Sequence, residues 1–354
     1  MTSRPAQSLF APVLLAVAVL VAIVPASPVQ AGIPAGGAMV QAATAWLATL
    51  APEQKARVLK PYEDAGRTGW HFIPKFERKG LPLREMVPSQ QQGALDLLRA
   101  AVSQAGFDKS NSIMQLDEML RLQEANNAKN IRDSLRYFFT IFGTPAATGT
   151  WGLSIEGHHL SLNFVVRDGQ VVDSTPQFFG ANPAEVRTRF AGLPEPGFRV
   201  LGAEEQTAFD LVRSLAADQQ AKAIIAPESP KDIRAAGEPQ SPKEPAKGIP
   251  FGELKPEQQA LLRKLIDTYC AAMADEVSKE RLMLIEKADG GWNAIHFAWA
   301  GATEPGIGHF YLVEGPTFAI EFCNVQPDAE GNVANHIHCV WRDRSGDFDL
   351  PATP

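Results

Sequence analysis

The chain has 354 residues, of which 45% are hydrophobic and 21% charged, a composition typical of a globular protein with one large or two medium domains. Its net charge of −7 at pH 7 argues against a nucleic-acid partner, because phosphate binding needs a basic stripe and the sequence contains none. The sequence also lacks a Gly-x-Ser-x-Gly elbow, an HExxH helix, a P-loop and a dinucleotide-binding glycine fingerprint. The mechanisms that depend on these motifs are therefore disfavoured.

The N-terminus has the pattern of a secretory signal peptide. Arg4 precedes an apolar run at residues 9–24, and Val29-Gln30-Ala31 supplies a small-x-small cleavage site. We predict that residues 1–31 are removed and that the mature protein is exported, periplasmic or extracellular, with no membrane contact after removal. The alternative, a membrane anchor, is disfavoured because the run is short and contains Pro12.

The three cysteines do not predict a disulfide-stapled fold. An exported chain with three cysteines leaves at least one unpaired. Cys323 and Cys339 are expected on opposite faces of a hairpin, and Cys270 lies in an apolar helical pattern typical of a buried thiol.

Three segments of the chain recur in the same order. Residues 79–91 are echoed by residues 247–259, residues 50–56 by residues 215–221, and residues 137–166 align with residues 295–324 without a gap. Repetition at this scale indicates copies of one structural unit. We therefore predict tandem copies at residues 40–190 and 203–345, related by a pseudo-twofold axis and forming one compact body.

Each copy is predicted to begin with helices and to end in antiparallel strands, which places the protein in the α+β class. Apolar residues at three- and four-residue spacing predict interrupted helices at residues 42–59 and 204–225, and Pro88 and Pro256 each open the next helix. Asp168-Gly169 predicts a tight hairpin turn. The further predicted helices are 112–124, 184–189 and 278–287; the predicted strands are 137–142, 151–155, 158–166, 171–174, 295–300, 310–313, 317–324 and 334–341.

The hairpin near the C-terminus carries the densest chemistry. Phe318, Ile320 and Phe322 form one apolar row and Ile337, Cys339 and Trp341 another, so both rows are expected to face the core. Packing these rows together predicts that Ile320 pairs with Cys339 and Phe318 with Trp341. The opposite face would then hold Glu321 across from His338 and Cys323 across from His336, which is the composition of a metal site. The alternative is that these histidines are ordinary solvent-side residues with Glu321 as a cross-strand partner.

The first copy contributes a second pair of histidines. The strand period places His159 with Ser161 and Asn163 on the polar face, whereas His158 falls with Leu160. We expect His159 to join the metal ligands and His158 to be a hydrogen-bonded, partly buried residue, although strand starts often bulge beside sites and could recruit it.

Three further residues are candidates for catalysis. Glu156 and Cys323 would support a metal ligand or act in acid–base steps. Arg342 shares the face of His336 and His338 by the strand period, so it could bind a ligand carboxylate; equally, it could pair with Glu321 or Asp343.

Several motifs resemble a known family, the domains of unknown function numbered 3500. They are residues 69–74, 156–163, 178–183, 298–301 and Asn335-His336-Ile337-His338 with residues 340–343, and they cover nearly all of the mature chain. The resemblance implies no reaction. At residues 321–326 the family's pattern resembles Glu-Tyr-Asp-Asn-Thr-Gln, so Cys323 replaces an acidic residue that would suit a hard metal.

These observations favour an exported metal-dependent enzyme. His336, His338, Glu321 and His159 would hold the ion, and imidazole with carboxylate suits Zn, Fe, Cu or Mn without choosing among them. A redox-inert ion predicts a hydrolase, and Fe or Cu predicts an oxidoreductase acting on a small organic molecule. The remaining alternative is a non-enzymatic protein that binds a small ligand or metal. The sequence does not determine the oligomeric state.

Overall fold

A large mixed β-sheet is the framework of the protein. The computed structural model describes residue 1 and residues 34–124 and 131–351, so the predicted signal peptide lies outside the described residues apart from Met1. Within the described ranges, 13 strands join one sheet in the order β1-β3-β4-β5-β7-β13-β12-β11-β10-β8, with β2 on β3, β6 on β5 and β9 on β10. The strands are β1 Leu59–Lys60, β2 Leu81–Pro82, β3 Phe138–Phe142, β4 Thr150–Gly157, β5 Leu160–Arg167, β6 Gln170–Asp173, β7 Gln177–Ala181, β8 Ile224–Ala226, β9 Ile249–Pro250, β10 His296–Gly301, β11 His309–Glu314, β12 Phe318–Asn324 and β13 Ile337–Asp343.

Helices precede the long strands in each half of the chain, which confirms the α+β class. Pro88 and Pro256 stand at the first turns of α3 and α7, where proline lacks only an amide that would have no helical partner. None of the described helices is long and apolar enough to cross a membrane. The helices are α1 Ala35–Thr49, α2 Pro52–Val58, α3 Pro88–Ala101, α4 Gln104–Gln123, α5 Gly202–Ser214, α6 Ala217–Ala223, α7 Pro256–Cys270 and α8 Asp275–Lys287.

The two faces of the sheet are covered differently. The main apolar core lies between the helices and the face that carries Ile320 and Trp341, together with helix residues such as Trp46 and Leu265. On the other face the loops at residues 66–80 and 227–248 form a smaller apolar cluster, centred on Trp70, Phe72, Phe178, Ile233 and Val340. The connection at residues 228–247, whose proline, lysine and glutamate content predicts a mobile linker, instead packs on the sheet through Ile233.

Strand β7 was not predicted. Residues 175–183 have turn chemistry in sequence, and yet Gln177–Ala181 pairs with both β5 and β13, so that Phe179 lies between Leu160 and Cys339. This strand joins the first half of the sheet to the second. The helix predicted at residues 184–189 is wrong, because the chain there forms bends and irregular backbone.

The predicted pairing of β12 with β13 is wrong by two residues. Ile320 lies opposite Trp341 and Phe322 opposite Cys339, and β13 starts only at Ile337, so that the connection after β12 is longer than predicted. A shift of two residues keeps every side chain on its predicted face, since the strand period is two, but it changes the cross-strand partners. Cys323 therefore lies opposite His338, and Glu321 opposite Val340.

Two local predictions are confirmed. Asp168 and Gly169 have φ of 49° and 75° and connect β5 to β6, as the hairpin signal requires. Cys270, Cys323 and Cys339 are all free and buried.

Candidate metal centre

Three histidines from distant parts of the chain converge at the junction of the two halves of the sheet. His159 follows β4 in the turn before β5, His336 immediately precedes β13, and His338 is the second residue of that strand. The Nε2 atom of His159 is 2.8 Å from Nε2 of His336 and 3.3 Å from Nε2 of His338. One ligand atom from each of the three lies within 4.8 Å of the others. The structure thus brings together three of the four predicted metal ligands.

Strand β7 positions His159 beside β13. Gly180 pairs with His338, and its amide donates to the carbonyl of His159, whose own amide donates to the carbonyl of Phe72. A Cβ at Gly180 would lie 2.8 Å from Cδ2 of His159, so only glycine allows this close approach. His159 itself has φ of 61°, a conformation seldom adopted by non-glycine residues and often found at functional sites.

Polar partners orient two of the three rings. Nδ1 of His338 is 2.7 Å from Oδ1 of Asp232, and a histidine that donates from Nδ1 to a carboxylate keeps Nε2 free for an ion. Nδ1 of His336 lies 3.3 Å from the amide nitrogen of Asn182, whose Oδ1 is buried without a partner among the described residues. A half-turn of this amide would let Oδ1 accept from Nδ1 of His336 and leave its Nε2 free as well.

The environment keeps imidazoles neutral. Burial, together with His158 and His336, holds the pKa of His159 well below its usual range. Burial and neighbouring His338 do the same for the pKa of His336. Neutral imidazole is the form that binds a metal, so protons do not compete for these two residues at neutral pH.

His158 lies between His159 and the carboxylate of Asp117. Its ring stacks on His159 with centroids 3.8 Å apart, and its Nδ1 lies 2.6 Å from Oδ1 of Asp117. Burial lowers the pKa of His158, although Asp117 opposes that shift. The expected hydrogen-bonded, buried histidine is therefore what the structure places here.

Glu321 and Cys323 lie outside the histidine group. Both oxygens of Glu321 accept hydrogen bonds from Arg234, at 2.7 Å from its amide and 3.0 Å from Nε, rather than facing His338. Burial raises the pKa of the Cys323 thiol to about 12, with Asp232 adding to the effect, so the group is a thiol at neutral pH. The predicted pairs Glu321–His338 and Cys323–His336 do not form.

Glu156 and Arg342 also have partners of their own. Glu156 is buried and accepts a hydrogen bond of 2.7 Å from Lys79. Arg342 is fully buried, donates from Nε to Asp347 at 2.7 Å, and donates to the backbone carbonyl of Glu238 at 2.9 Å. It pairs with neither Glu321 nor Asp343, so the predicted ion pair with one of these two residues is wrong.

Sequence reasoning missed Asp232 and Asn182. Asp232 belongs to a connection rich in proline and charge that has no regular pattern, and nothing in it signals contact with β13. Asn182 stands in the motif Phe178-Phe179-Gly180-Ala181-Asn182-Pro183, where an asparagine before the helix predicted at residues 184–189 is most simply interpreted as its N-cap. The resemblance of that motif to a family pattern was the one available signal.

Three imidazoles in this arrangement suit a divalent transition metal. A tetrahedral Zn²⁺ ion with Zn–N bonds of about 2.0–2.1 Å holds its nitrogens about 3.3 Å apart. The Nε2 separations of 2.8 and 3.3 Å are close to that value. Copper, iron and nickel also accept imidazole, so the donors select a class of ion rather than one element.

Fold and site together define an α+β protein with a buried three-histidine cluster that could hold a metal ion. The chain belongs to the family described as "Protein of unknown function (DUF3500)", whose family model matches residues 35–350. This match confirms the resemblance seen in the sequence motifs. No curated protein and no solved structure matches the chain.

Proposed function

We propose that the protein is an exported metal-dependent hydrolase in which His159, His336 and His338 hold the ion. The observation that carries the proposal is the convergence of three Nε2 atoms from two halves of the chain. Structural zinc sites usually have four protein ligands, whereas catalytic sites have three and leave a position for water or substrate. Among the described residues the group has three members, which supports a catalytic site.

The chemistry follows from the ligand set. Zn²⁺ held by these three neutral imidazoles would act as a Lewis acid and make a water-derived nucleophile available at neutral pH. Asp232 fixes the ring of His338, and Phe72 packs against the same ring with centroids 4.7 Å apart. These contacts would hold the His338 ring in place and limit the access of water to one side of the site. A small organic molecule is the substrate class we propose.

Elemental analysis by plasma mass spectrometry tests the proposal. The mature wild-type protein is compared with the double variant His336→Ala/His338→Ala and with a control, His296→Ala, which removes a histidine at the start of β10 that does not belong to the cluster. We expect about one transition-metal ion per chain in the wild type and the control, and none in the double variant. Absence of metal from a folded wild type, with unchanged thermal stability in Zn, Cu, Fe or Mn salts, would rule out the metalloenzyme.

A redox role is the second candidate, and the donor set is the observation that favours it. The converging group contains imidazoles and no carboxylate, and imidazole donors suit copper as well as zinc. Copper or iron in the purified protein would direct the assays toward oxidation of small organic molecules. Metal retained without turnover of any hydrolase or oxidase substrate would favour a metal-binding protein instead.

We also propose that the two halves are copies of one unit. Several matched features support this: β1 pairs in parallel with β3 as β8 does with β10, and reciprocal glutamine pairs join Gln54 to Gln90 and Gln219 to Gln258.

Export remains part of the proposal on the basis of residues 1–31, and N-terminal sequencing of the secreted protein tests it.

A further inference from the structure

A second cluster of ionisable side chains lies close to the histidines but does not belong to them. The neighbouring residues His71 and Phe72 lie between the two sites. Phe72 packs on His338, and His71 lines a cavity of about 380 Å³. Lys75, Arg78, Lys79 and Glu156 line the same cavity. A neighbouring cavity of about 460 Å³ shares Glu77, Arg78 and Lys79 with it, so that the two form one cleft.

The cleft is basic in a protein that is acidic overall. Six cationic side chains line it against three carboxylates, whereas the whole chain has a net charge of −7. The cations are Arg57, Lys60, Lys75, Arg78, Lys79 and Arg136, and the carboxylates are Glu77, Glu85 and Glu156.

Three of the six cations, Arg57, Arg78 and Lys79, are paired with carboxylates. Arg136 donates to the backbone carbonyl of Phe76, and the remaining two have no partner among the described residues. Arg57 pairs with Glu85, and Lys79 donates to Glu156 at 2.7 Å. Over the part of the chain that is described, the ammonium groups of Lys60 and Lys75 have neither a hydrogen bond nor an ion pair. Burial and the nearby guanidinium of Arg78 lower the pKa of Lys75, as expected for a cation that faces other cations.

His71 adds a neutral donor. Its Nδ1 accepts from the amides of Phe72 at 3.0 Å and Ile73 at 3.3 Å, so the ring proton is on Nε2. Burial, Lys75 and Arg78 lower the pKa of His71 to about 4. The side chain is therefore neutral at pH 7 and provides an N–H group at the edge of the cleft.

In the second half of the sheet, the corresponding carboxylate pairs with an arginine from the connection at residues 228–247. Glu314 ends β11 opposite His296, as Glu156 lies near the end of β4 opposite Phe138. Arg234 donates to Glu314 at 2.8 Å and to Glu321 at 3.0 Å. A guanidinium from the connection thus pairs with both carboxylates there. Glu156 pairs with Lys79 and Arg78 instead, and a cavity that Lys75 also lines lies beside it.

We propose that this cleft binds a small organic oxyanion, with Lys75 and Lys60 as the cations that pair with it and His71 and Lys79 as further donors. Carboxylate, phosphate and sulfate groups share the chemistry that such donors recognise. A cationic ligand is disfavoured because lysine and arginine outnumber glutamate six to three. Glu77 and Glu156 also line the cleft, which favours a ligand of low charge over a polyanion.

Calorimetric titration at constant ionic strength tests the proposal, with succinate, phosphate and sulfate as probes and neutral succinamide as the comparison. We expect at least one anion to bind and succinamide not to. Lys75→Gln should weaken binding about tenfold, the effect of one charge-assisted hydrogen bond. The matched control is Lys264→Gln, an exposed lysine on α7 that lines neither cavity, and it should bind as the wild type does.

The double variant His336→Ala/His338→Ala separates this site from the histidine cluster. We expect it to bind the anion with the affinity of the wild type, whether or not the protein holds a metal. The proposal is overturned if no probe binds, if Lys75→Gln binds like Lys264→Gln, or if binding disappears in the folded double variant. The last result would assign the anion to the metal centre.

Discussion

The carboxylate of Asp232 determines the tautomer and orientation of His338, which lies on a different element of the fold. Its Oδ1 lies 2.7 Å from Nδ1 of His338, and the hydrogen bond fixes both the tautomer and the ring plane. The group is partly exposed, with 37% of its side chain accessible, so its electrostatic contribution is screened by solvent. Orientation, rather than charge, is therefore the effect that we expect to dominate.

Replacing this carboxylate should weaken metal binding without unfolding the protein. For Asp232→Asn we expect an affinity for Zn²⁺ that is about 10- to 100-fold lower. The carboxylate can only accept a hydrogen bond from Nδ1 of His338, whereas an amide can present either its oxygen or its NH2 group. Competition with a chromophoric chelator measures the change. Asp218→Asn, an exposed residue on α6, is the control, and equal affinities for the two variants would show that Asp232 does not orient the ligand.

Gly180 tests the close approach between β7 and His159. For Gly180→Ala we expect the new Cβ, 2.8 Å from Cδ2 of His159 and 3.0 Å from a backbone oxygen, to displace the histidine. The metal content should fall together with a loss of stability of about 1–3 kcal/mol. In the control Gly252→Ala the nearest atom is the tip of Asn293 at 3.3 Å, far from the histidines. Full metal content in Gly180→Ala would contradict the packing argument.

At the scale of elements, paired glutamines hold the helices of each half together. Gln219 and Gln258 exchange two hydrogen bonds of 2.9 Å, and Gln258 also accepts from the amide of Lys255 at the start of α7. The same pattern joins Gln54 to Gln90 at the start of α3. A reciprocal amide pair satisfies both side chains in a place that water cannot reach easily.

Removing one member should leave its buried partner unsatisfied. We expect Gln258→Ala to lower the free energy of unfolding by about 2–4 kcal/mol, since the desolvation cost of Gln219 and of the α7 amide is no longer offset. Urea denaturation measures the effect. Gln92→Ala, exposed on α3, should change stability by less than about 0.5 kcal/mol. If both variants were equally stable, the Gln219–Gln258 pair would be accessible to water rather than buried.

At the scale of the whole molecule, ionic contacts connect the two halves of the chain. Arg281 on α8 lies 3.0 Å from Asp173 at the end of β6 and 2.5 Å from Asp343 at the end of β13. All three side chains are buried. Strand β7 makes the other connection, because it pairs with β5 on one side and with β13 on the other.

Breaking this ionic contact should destabilise the protein as a unit. For Arg281→Met we expect a loss of about 3–5 kcal/mol, because two buried carboxylates are left without their cation. Lys279→Met, an exposed change on the same helix, should cost less than about 0.5 kcal/mol. Chemical denaturation followed by fluorescence compares them. A loss below 1 kcal/mol for Arg281→Met would mean that the halves are held together by packing alone.

The sequence by itself determined the local features of this protein. Alternation along β12 and β13 assigned Ile320 and Trp341 to the core and His338 to the other face, and proline marked the starts of α3 and α7. Side-chain periodicity and terminal caps depend on neighbouring residues, so a single sequence contains them. The α+β class and the histidines of the candidate site followed from these local signals.

Only the tertiary structure decided which residues meet. Pairing of β12 with β13 differed by two residues from prediction, which replaced Glu321 by Cys323 opposite His338, and Glu321 binds Arg234 instead. Asp232 reaches His338 from an irregular loop 106 residues away in sequence. Such contacts depend on loop paths and on the position of β7, and both result from packing between distant segments that no local periodicity encodes.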